Sequence, residues 1–254
     1  MTQQKGKLYL VPAPLDFGCE AQAPIQNVMP MHSLRITAQL PYFICENAKS
    51  TRAYLKRVGD VVPLSQAVQA LHITELPREV HKKGDHTGNF DARPMLAAAI
   101  EGSDIGLISE AGMPAIADPG SSVVRAAHDL GIEVIALTGP MSLMLALASS
   151  GLNGQNFAFV GYLPQDAGER SQRIKALESL ALKTGQTQIF IETPYRNATL
   201  LQALLQNLQG NTRLALSCGL TLQTAWNKSA TAAKWKQDKP APPLGLPTVF
   251  CFGR

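Results

Sequence analysis

Ile105-Gly-Leu-Ile-Ser-Glu-Ala-Gly-Met-Pro-Ala-Ile-Ala-Asp-Pro-Gly120 runs from a short apolar segment straight into residues 109–120, which hold two acids, two glycines and two prolines in twelve positions. Glycine permits backbone angles that other residues avoid, and proline fixes φ and removes a donor, so residues 109–120 read as a shaped loop that follows a strand. In open α/β sheets ligands sit outside the carboxyl ends of the strands, where backbone groups are free and helix N-termini offer donors. The stretch therefore predicts a ligand loop on an α/β sheet.

The flanking sequence supports that fold. Apolar runs at 7–11, 42–45, 105–109 and 134–137 read as strands, and 49–58, 92–100 and 121–130 read as helices between them. This alternation is the signature of βαβ units on a largely parallel sheet. In the last of these helices Val123, Val124, Ala127 and Leu130 form one apolar stripe. After Gly151-Leu-Asn-Gly154 the pattern restarts: a strand at 157–161, a helix at 168–183, a strand at 188–192, then a helix striped by Leu200, Leu201, Leu204, Leu205 and Leu208. Strands at 213–217, 224–228 and 248–252 complete it, and the proline-rich 239–247 is a loop. The expected architecture is two α/β domains, 1–152 and 153–254, with a hinge near 150–156.

With 254 residues, 45% hydrophobic and 17% charged, the chain can bury a substantial core as a soluble globular protein. Cys19, Cys45, Cys218 and Cys251 lack metal-ligand spacing and suggest neither structural zinc nor a disulfide framework, so a reducing cytoplasm is the expected home and no metal is expected. The N-terminus has too short an apolar run for a secretory signal. Residues 132–152 are apolar enough to suggest a membrane span, but Gly139-Pro140 interrupts them and Glu133 lies near their start, so strand, turn and buried helix is the better reading. A net charge of +4 suits a polyanionic partner without requiring one.

The phosphate loop GxxxxGK[ST], the GxSxG elbow, HExxH and a strand-linked GxGxxG are all absent from the sequence. What remains is three loops, 12–18, 109–120 and 138–142, each after a strand and expected to converge on one edge of the N-terminal sheet. In the third, the free amides of the helix after Gly139-Pro140 are suited to a carboxylate or another anion.

The strings KLYLVPAPL, ISEAGMPAIADPG, ALTGPMSLMLALASSGL, FVGYLP and IFIETPYR, in this order, resemble the tetrapyrrole methylase superfamily of S-adenosylmethionine-dependent methyltransferases. Within it they are most similar to the branch that 2′-O-methylates a cytidine of 16S ribosomal RNA. The resemblance implies two α/β domains with the cofactor in the cleft between them, and a homodimer. It also implies cofactor contacts at Pro14 and Leu15, at Glu110, Ala111, Gly112 and Met113, at Met141 and Ser142, and at Thr193, Ser217 and Thr248. The chain departs from that branch in three places: APLDFG replaces TPIGN after the first strand, Glu46-Asn-Ala-Lys-Ser-Thr51 replaces EDTRHT after the second, and Met141 replaces the serine after Gly-Pro.

Methyl transfer from a sulfonium asks the protein to align the reactants and to remove one proton from the attacking hydroxyl. Glu46 and Asp16 both lie just beyond strands and are candidates for that proton. Glu46 is taken as the catalytic residue, with capping of the following helix as its alternative role; Asp16 is placed on the substrate side, with a turn-stabilising role as its alternative. Lys49 and Arg52 are three apart on a predicted helix and share a face, which makes them candidate RNA contacts together with Lys82-Lys83. The segment His81-Lys-Lys-Gly-Asp-His86 reads as a solvated basic loop, and Glu192-Thr-Pro-Tyr-Arg196 as a strand-to-helix junction able to position substrate or cofactor. The rival readings are a small-molecule, tetrapyrrole-like methyltransferase and a cofactor-binding protein without transfer activity.

Overall fold

The computed structural model describes residues 4–83, 85 and 90–254, with the side chains of all but 81–83. The chain divides into two compact units, one comprising residues up to Phe17 and Ala23–Pro140, the other Gly18–Gln22 and Met141–Arg254.

The first unit carries β1 (Lys7–Val11), α1 (Ile25–Val28), α2 (Met31–Gln39), β2 (Tyr42–Cys45), α3 (Ala48–Gly59), β3 (His72–Glu75), α4 (Arg78–Lys83), α5 (Ala97–Ile100), β4 (Ile105–Ile108), α6 (Ser121–Asp129) and β5 (Glu133–Ala136). Its sheet has the order β3-β2-β4-β1-β5, and every pairing is parallel. A parallel sheet is covered on both faces, and β4 accordingly buries all four residues of its run Ile-Gly-Leu-Ile. Gly106 is small because a Cβ there would stand 2.9 Å from the Phe43 ring.

In this unit the predicted strands fall within a residue of the observed ones, except that β3 was unread. That edge strand is mostly exposed and lacks an apolar run. The predicted helix 92–100 is a 3₁₀ turn, Arg93–Leu96, followed by the single turn of α5; Pro94 sits in the first turn of the former. In α6 the fully buried positions are Ser122, Val123, Ala126 and Ala127, while Val124 and Leu130 are only partly covered. The predicted basic loop at 81–86 is corrected in two ways: the backbone of 81–83 belongs to α4, and Asp85 is buried, 3% exposed. The side chains of His81, Lys82 and Lys83, and residues 84 and 86–89, lie outside the described residues.

The second unit carries α7 (Ser142–Ser150), β6 (Phe157–Phe159), α8 (Ala167–Thr184), β7 (Thr187–Glu192), α9 (Asn197–Asn207), β8 (Arg213–Cys218), β9 (Trp226–Thr231), α10 (Ala232–Asp238) and β10 (Thr248–Gly253). Its sheet, β6-β7-β10-β8-β9, is parallel only between β6 and β7. One face buries Phe190, Phe250 and Phe252 beneath α8, α9 and α10, with the Phe190 ring 5.6 Å from that of Phe250 and 5.5 Å from that of Phe252. Truncating one of these rings to alanine removes about 3–5 kcal/mol.

α7 covers the other face, setting Leu143, Ala146 and Leu147 against Ile189, Ala215, Val249 and Cys251. An apolar helix goes where an apolar sheet face is open, so the division falls at Pro140–Met141, ahead of the expected hinge near 150–156. Residues 132–152 form β5, a turn and α7, and among the described residues no helix is long and apolar enough to cross a membrane.

Candidate active site

A parallel sheet brings the carboxyl ends of all its strands to one edge, and the first unit builds its candidate site there. The loops after β1 and β4 are joined by a two-residue bridge in which Ala13 N–H donates to the Gly112 carbonyl at 2.8 Å and Gly112 N–H donates back at 2.9 Å. The loop after β5 joins them. A Cβ on Gly139 would stand 2.2 Å from Pro12 Cγ, and the Ser33 hydroxyl donates to the Thr138 carbonyl at 2.6 Å. The three loops thus converge as their positions in the sequence predict.

The loop after β4 has an unusual backbone. Gly112 (φ 73°), Ala115 (63°), Ala117 (66°) and Gly120 (135°) all have positive φ, which costs a residue bearing a Cβ about 1–2 kcal/mol. The folded-back path brings Asp118 near the strand ends, where Glu46 and Glu110 already stand.

These three acids form the electrostatic centre of the edge. Burial, then the charges of Asp118 and Glu110, push Glu46 up to about 8, against a backbone hydrogen bond from Glu110. Glu46 Oε1 is buried and has no hydrogen-bond partner among the described residues. Burial raises Asp118 to about 6, with a hydrogen bond from Ser109 offsetting part of the effect. Asp118 ionises first, and its charge then holds the proton on Glu46. Glu110 accepts from the Ser50 hydroxyl at 3.0 Å. At neutral pH Glu46 keeps its proton beside the ionised Asp118.

Glu46 does not cap α3. That role belongs to Asn47, whose side chain accepts from the amides of Lys49 (2.9 Å) and Ser50 (3.3 Å). Lys49 and Arg52 project from the first turns of α3 and are exposed. Asp16 is a correction: it is 1% exposed, and Arg57 donates to both its oxygens at 2.9 Å while also donating to the Ala23 carbonyl. Its carboxylate also accepts from the Ala23 amide at 3.1 Å and clamps the chain from 16 to 23, so this buried group stabilises the turn, the role given as its alternative. Pro14 and Leu15 are buried beside it, with Leu15 Cδ2 3.4 Å from the position a Gly112 Cβ would take. Ala111 and Met113 are half-buried.

The N-terminus of α6 opens at the same edge and is already filled. Asp85 accepts from the amides of Gly120 (2.9 Å) and Ser122 (2.8 Å) and from the Ser121 and Ser122 hydroxyls. Burial alone would raise its pKa; the Ser122 side chain and amide, then Ser121 and Gly120, outweigh burial and bring it to about 2.

In the second unit, β6, β7 and β8 run in one direction, so Thr193, just after β7, and Thr248, opening β10 between Glu192 and Cys218, share an edge. Ser217 pairs with Val249 and faces α7, with its hydroxyl 3.4 Å from that of Ser149. The sheet therefore parts Ser217 from Thr248, one on each face. Met141 precedes α7 with no side-chain cap, and Ser142 is its first residue.

Sequence reasoning missed Asp118, Arg57 and Asp85. Asp118 lay in the opening stretch and could have been found as the acid following a double reversal of the chain. Arg57 and Asp85 had no local signal, since their partners are 41 and 35–37 residues away. Among the described residues no group of three or more His, Cys, Asp or Glu is placed to hold a metal ion.

The relatives agree with this architecture. The sequence is similar to "Ribosomal RNA small subunit methyltransferase I" of Mesorhizobium japonicum, 33% identical over 201 residues, and of Vibrio cholerae, 30% identical over 215 residues. These matches cover 78% and 84% of this chain but 61% and 65% of the relatives, so the chain spans less than two thirds of the length of either. Among solved structures, uroporphyrin-III C-methyltransferase from Thermus thermophilus complexed with S-adenyl homocysteine shares the fold with a TM-score of 0.54 at 16% identity, over 98% of each chain. The methyltransferase CobJ shares it with a TM-score of 0.56 at 16% identity, over 98% of this chain and 94% of its own. The family described as Tetrapyrrole (Corrin/Porphyrin) Methylases matches residues 34–226, well over half of the sequence. With parallel strands whose end loops lock together around a buried carboxyl, and with this match across both units, the chain belongs to the tetrapyrrole (corrin/porphyrin) methylase family.

Proposed function

We propose that the chain is an S-adenosylmethionine-dependent methyltransferase that methylates a ribose 2′-hydroxyl of 16S ribosomal RNA. The names of its relatives support the RNA substrate, and the S-adenyl homocysteine complex of a fold neighbour supports the cofactor. The observation that carries the reading is the buried carboxyl of Glu46 beside Asp118 and Glu110.

The residues fit that cofactor. Crowded carboxyls whose ionisation is suppressed suit a ligand of positive charge, and S-adenosylmethionine has a sulfonium and an ammonium but no phosphate. The amides of α6, where a phosphate would dock, are occupied by Asp85. Bound, the cofactor supplies a methyl group already activated for transfer.

The chain's own residues supply position and proton transfer. Glu110, Ala111, Gly112 and Met113, with Pro14 and Leu15 behind them, shape the cofactor side of the edge. Glu46, once ionised, is a base strong enough to take the proton of an attacking hydroxyl, and its position just beyond β2 places it on the same edge. Lys49 and Arg52 hold phosphates of the RNA. In this reading the protein acts as a homodimer, as the family resemblance implies, in the cytoplasm, where its free cysteines stay reduced.

The test is transfer of a labelled methyl group from S-adenosylmethionine to 16S RNA and to small ribosomal subunits, followed by alkaline hydrolysis, which a 2′-O-methyl group resists. Label in a hydrolysis-resistant dinucleotide is the expected result. Label in a base, or in a small tetrapyrrole and never in RNA, overturns the substrate.

A further inference from the structure

Tyr195 is 79% exposed and Tyr162 is 56% exposed, the two most exposed aromatic side chains among the described residues. Both rise from the second unit's sheet on neighbouring loops. β6 and β7 are adjacent and parallel, Tyr162 follows the end of β6, and Tyr195 lies in the 3₁₀ turn Pro194–Arg196 after β7. The Tyr162 loop is tied to the end of β7, where Ile191 N–H donates to the Gly161 carbonyl at 3.2 Å.

Both rings have rigid mounts. Arg196 Cζ lies 5.3 Å from the Tyr195 ring centroid, and its Nε and Nη2 donate to Glu192 Oε1 at 3.0 and 2.8 Å. That oxygen also accepts from the Thr193 amide and hydroxyl, and the Glu192 side chain is 7% exposed, so the guanidinium is held still beneath the ring. On the other loop Leu163 is buried next to Tyr162, and Arg170 donates to the Pro164 and Gln165 carbonyls. The residues around Tyr195 are Glu192, Thr193, Pro194 and Arg196, a polar and charged setting rather than an apolar patch. A protein partner's hot spot sits in desolvated apolar surroundings; a fixed, wet ring with a cation against it is the chemistry that stacks nucleobases. One turn along α8 from Arg170, Arg173 is exposed and adds positive charge to the helix that follows the Tyr162 loop, while Asp166 is engaged with the α8 N-terminus through the Glu169 amide.

We propose that Tyr195 and Tyr162 form a stacking platform for two unpaired bases of a single-stranded RNA, with Arg173 meeting the backbone. This deepens the RNA-methyltransferase reading and rests on it: the platform holds unpaired nucleotides of the substrate.

The test uses the full-length protein and a single-stranded, cytidine-rich RNA of about a dozen nucleotides carrying one 2-aminopurine, read by anisotropy and by quenching of the analogue. Tyr195→Ala is expected to weaken binding about tenfold and to lose quenching, Tyr195→Trp to keep both, and neither to change S-adenosylmethionine affinity by calorimetry. Because Tyr195 carries no charge, the salt dependence of binding stays as in the parent, whereas Arg173→Gln reduces its slope by about one phosphate contact. A Tyr195→Ala protein that binds and quenches the RNA like the parent overturns the platform alone. Joint loss of cofactor affinity overturns it by assigning the ring to the cofactor. A parent that binds the cofactor but no RNA overturns both the platform and the RNA reading.

Discussion

Ala13 and Gly112 exchange both of their backbone hydrogen bonds although one follows β1 and the other β4, so the two loops move as one piece. The neighbouring Gly139 is bound into the same assembly by its contact with Pro12, and the two glycines are expected to respond differently to substitution.

Gly112→Ala places a methyl at φ 73° with its nearest neighbour, Leu15 Cδ2, at 3.4 Å. The expected cost is about 1–2 kcal/mol of backbone strain, with a folded protein and weakened S-adenosylmethionine binding. Gly139→Ala puts a methyl 2.2 Å from Pro12 and must move backbone; its melting temperature should fall well below that of Gly112→Ala. Thermal denaturation of both variants, with calorimetry on whichever folds, decides it. Equal stability of the two would sink the packing role of Gly139.

Ligand affinity should depend on pH in a way that reports charge. As pH rises through about 6 and then about 8, Asp118 and Glu46 ionise and favour a cation, so S-adenosylmethionine should bind more tightly at pH 8.5 than at pH 5.5. S-adenosylhomocysteine, which lacks the sulfonium, should show a smaller rise. Parallel pH profiles for the two ligands would remove the acids from the sulfonium's surroundings.

Glu46→Gln tests the same residue through stability. Glu46 binds its proton more tightly in the folded state, about 8, than at the ordinary 4.5. The folded state therefore holds more protons between those values, and stability falls as pH rises from 4.5 to 8. Glutamine removes that linkage, so the variant's urea midpoint should decline less over this range, and its methyl transfer should be lost at every pH. Retained transfer would move the base elsewhere.

Most strands were legible because they are short apolar runs bounded by turn residues, whereas β3 went unread and β9, Trp226–Thr231, was expected two residues early, since neither is an apolar run; the convergence of the strand-end loops followed from parallel pairing alone. The start of α2 was not legible, because Pro30 occupies its N-cap and no Ser, Thr, Asp or Asn announces it. The division at Pro140–Met141 was hidden because β5 and α7 form one continuous apolar stretch, and only the open face of the second sheet shows which unit claims the helix. At the candidate site, Glu46 was found from its place after a strand, but its protonation arises from burial and then from the charge of Asp118, delivered by a loop path that residue types do not encode. Asp16 was misassigned for the same reason: Arg57, which consumes it, lies on a helix elsewhere in the chain.

Ala117 is exposed with φ 66°, so Ala117→Gly leaves no cavity and relieves left-handed strain. The gain, about 1–2 kcal/mol, exceeds the extra unfolded-state entropy of glycine, about 0.5–1 kcal/mol. A small rise in melting temperature is expected. A fall would show that the alanine methyl contributes packing that outweighs its strain.

Replacing Lys49 and Arg52 together by glutamine should weaken RNA binding alike for all sequences and lower its salt slope by about two contacts, with cofactor affinity and melting temperature unchanged. Both side chains are exposed, so lost RNA binding here would not come from unfolding. A double variant that methylates RNA as fast as the parent places the backbone contacts elsewhere.

Asp85 gives the fold a means of discriminating among adenine compounds. Where a helix begins beside a strand end, nucleotide-binding proteins commonly cradle a phosphate on bare amides. Here a carboxylate held ionised down to about pH 2 already occupies those amides and both adjoining hydroxyls. An incoming ATP or dinucleotide would meet like charge and spent donors, whereas a nucleoside whose tail is cationic meets attraction. On the proposed reading, selectivity against the cell's abundant phosphorylated adenosines comes from a residue that need never touch the ligand it admits.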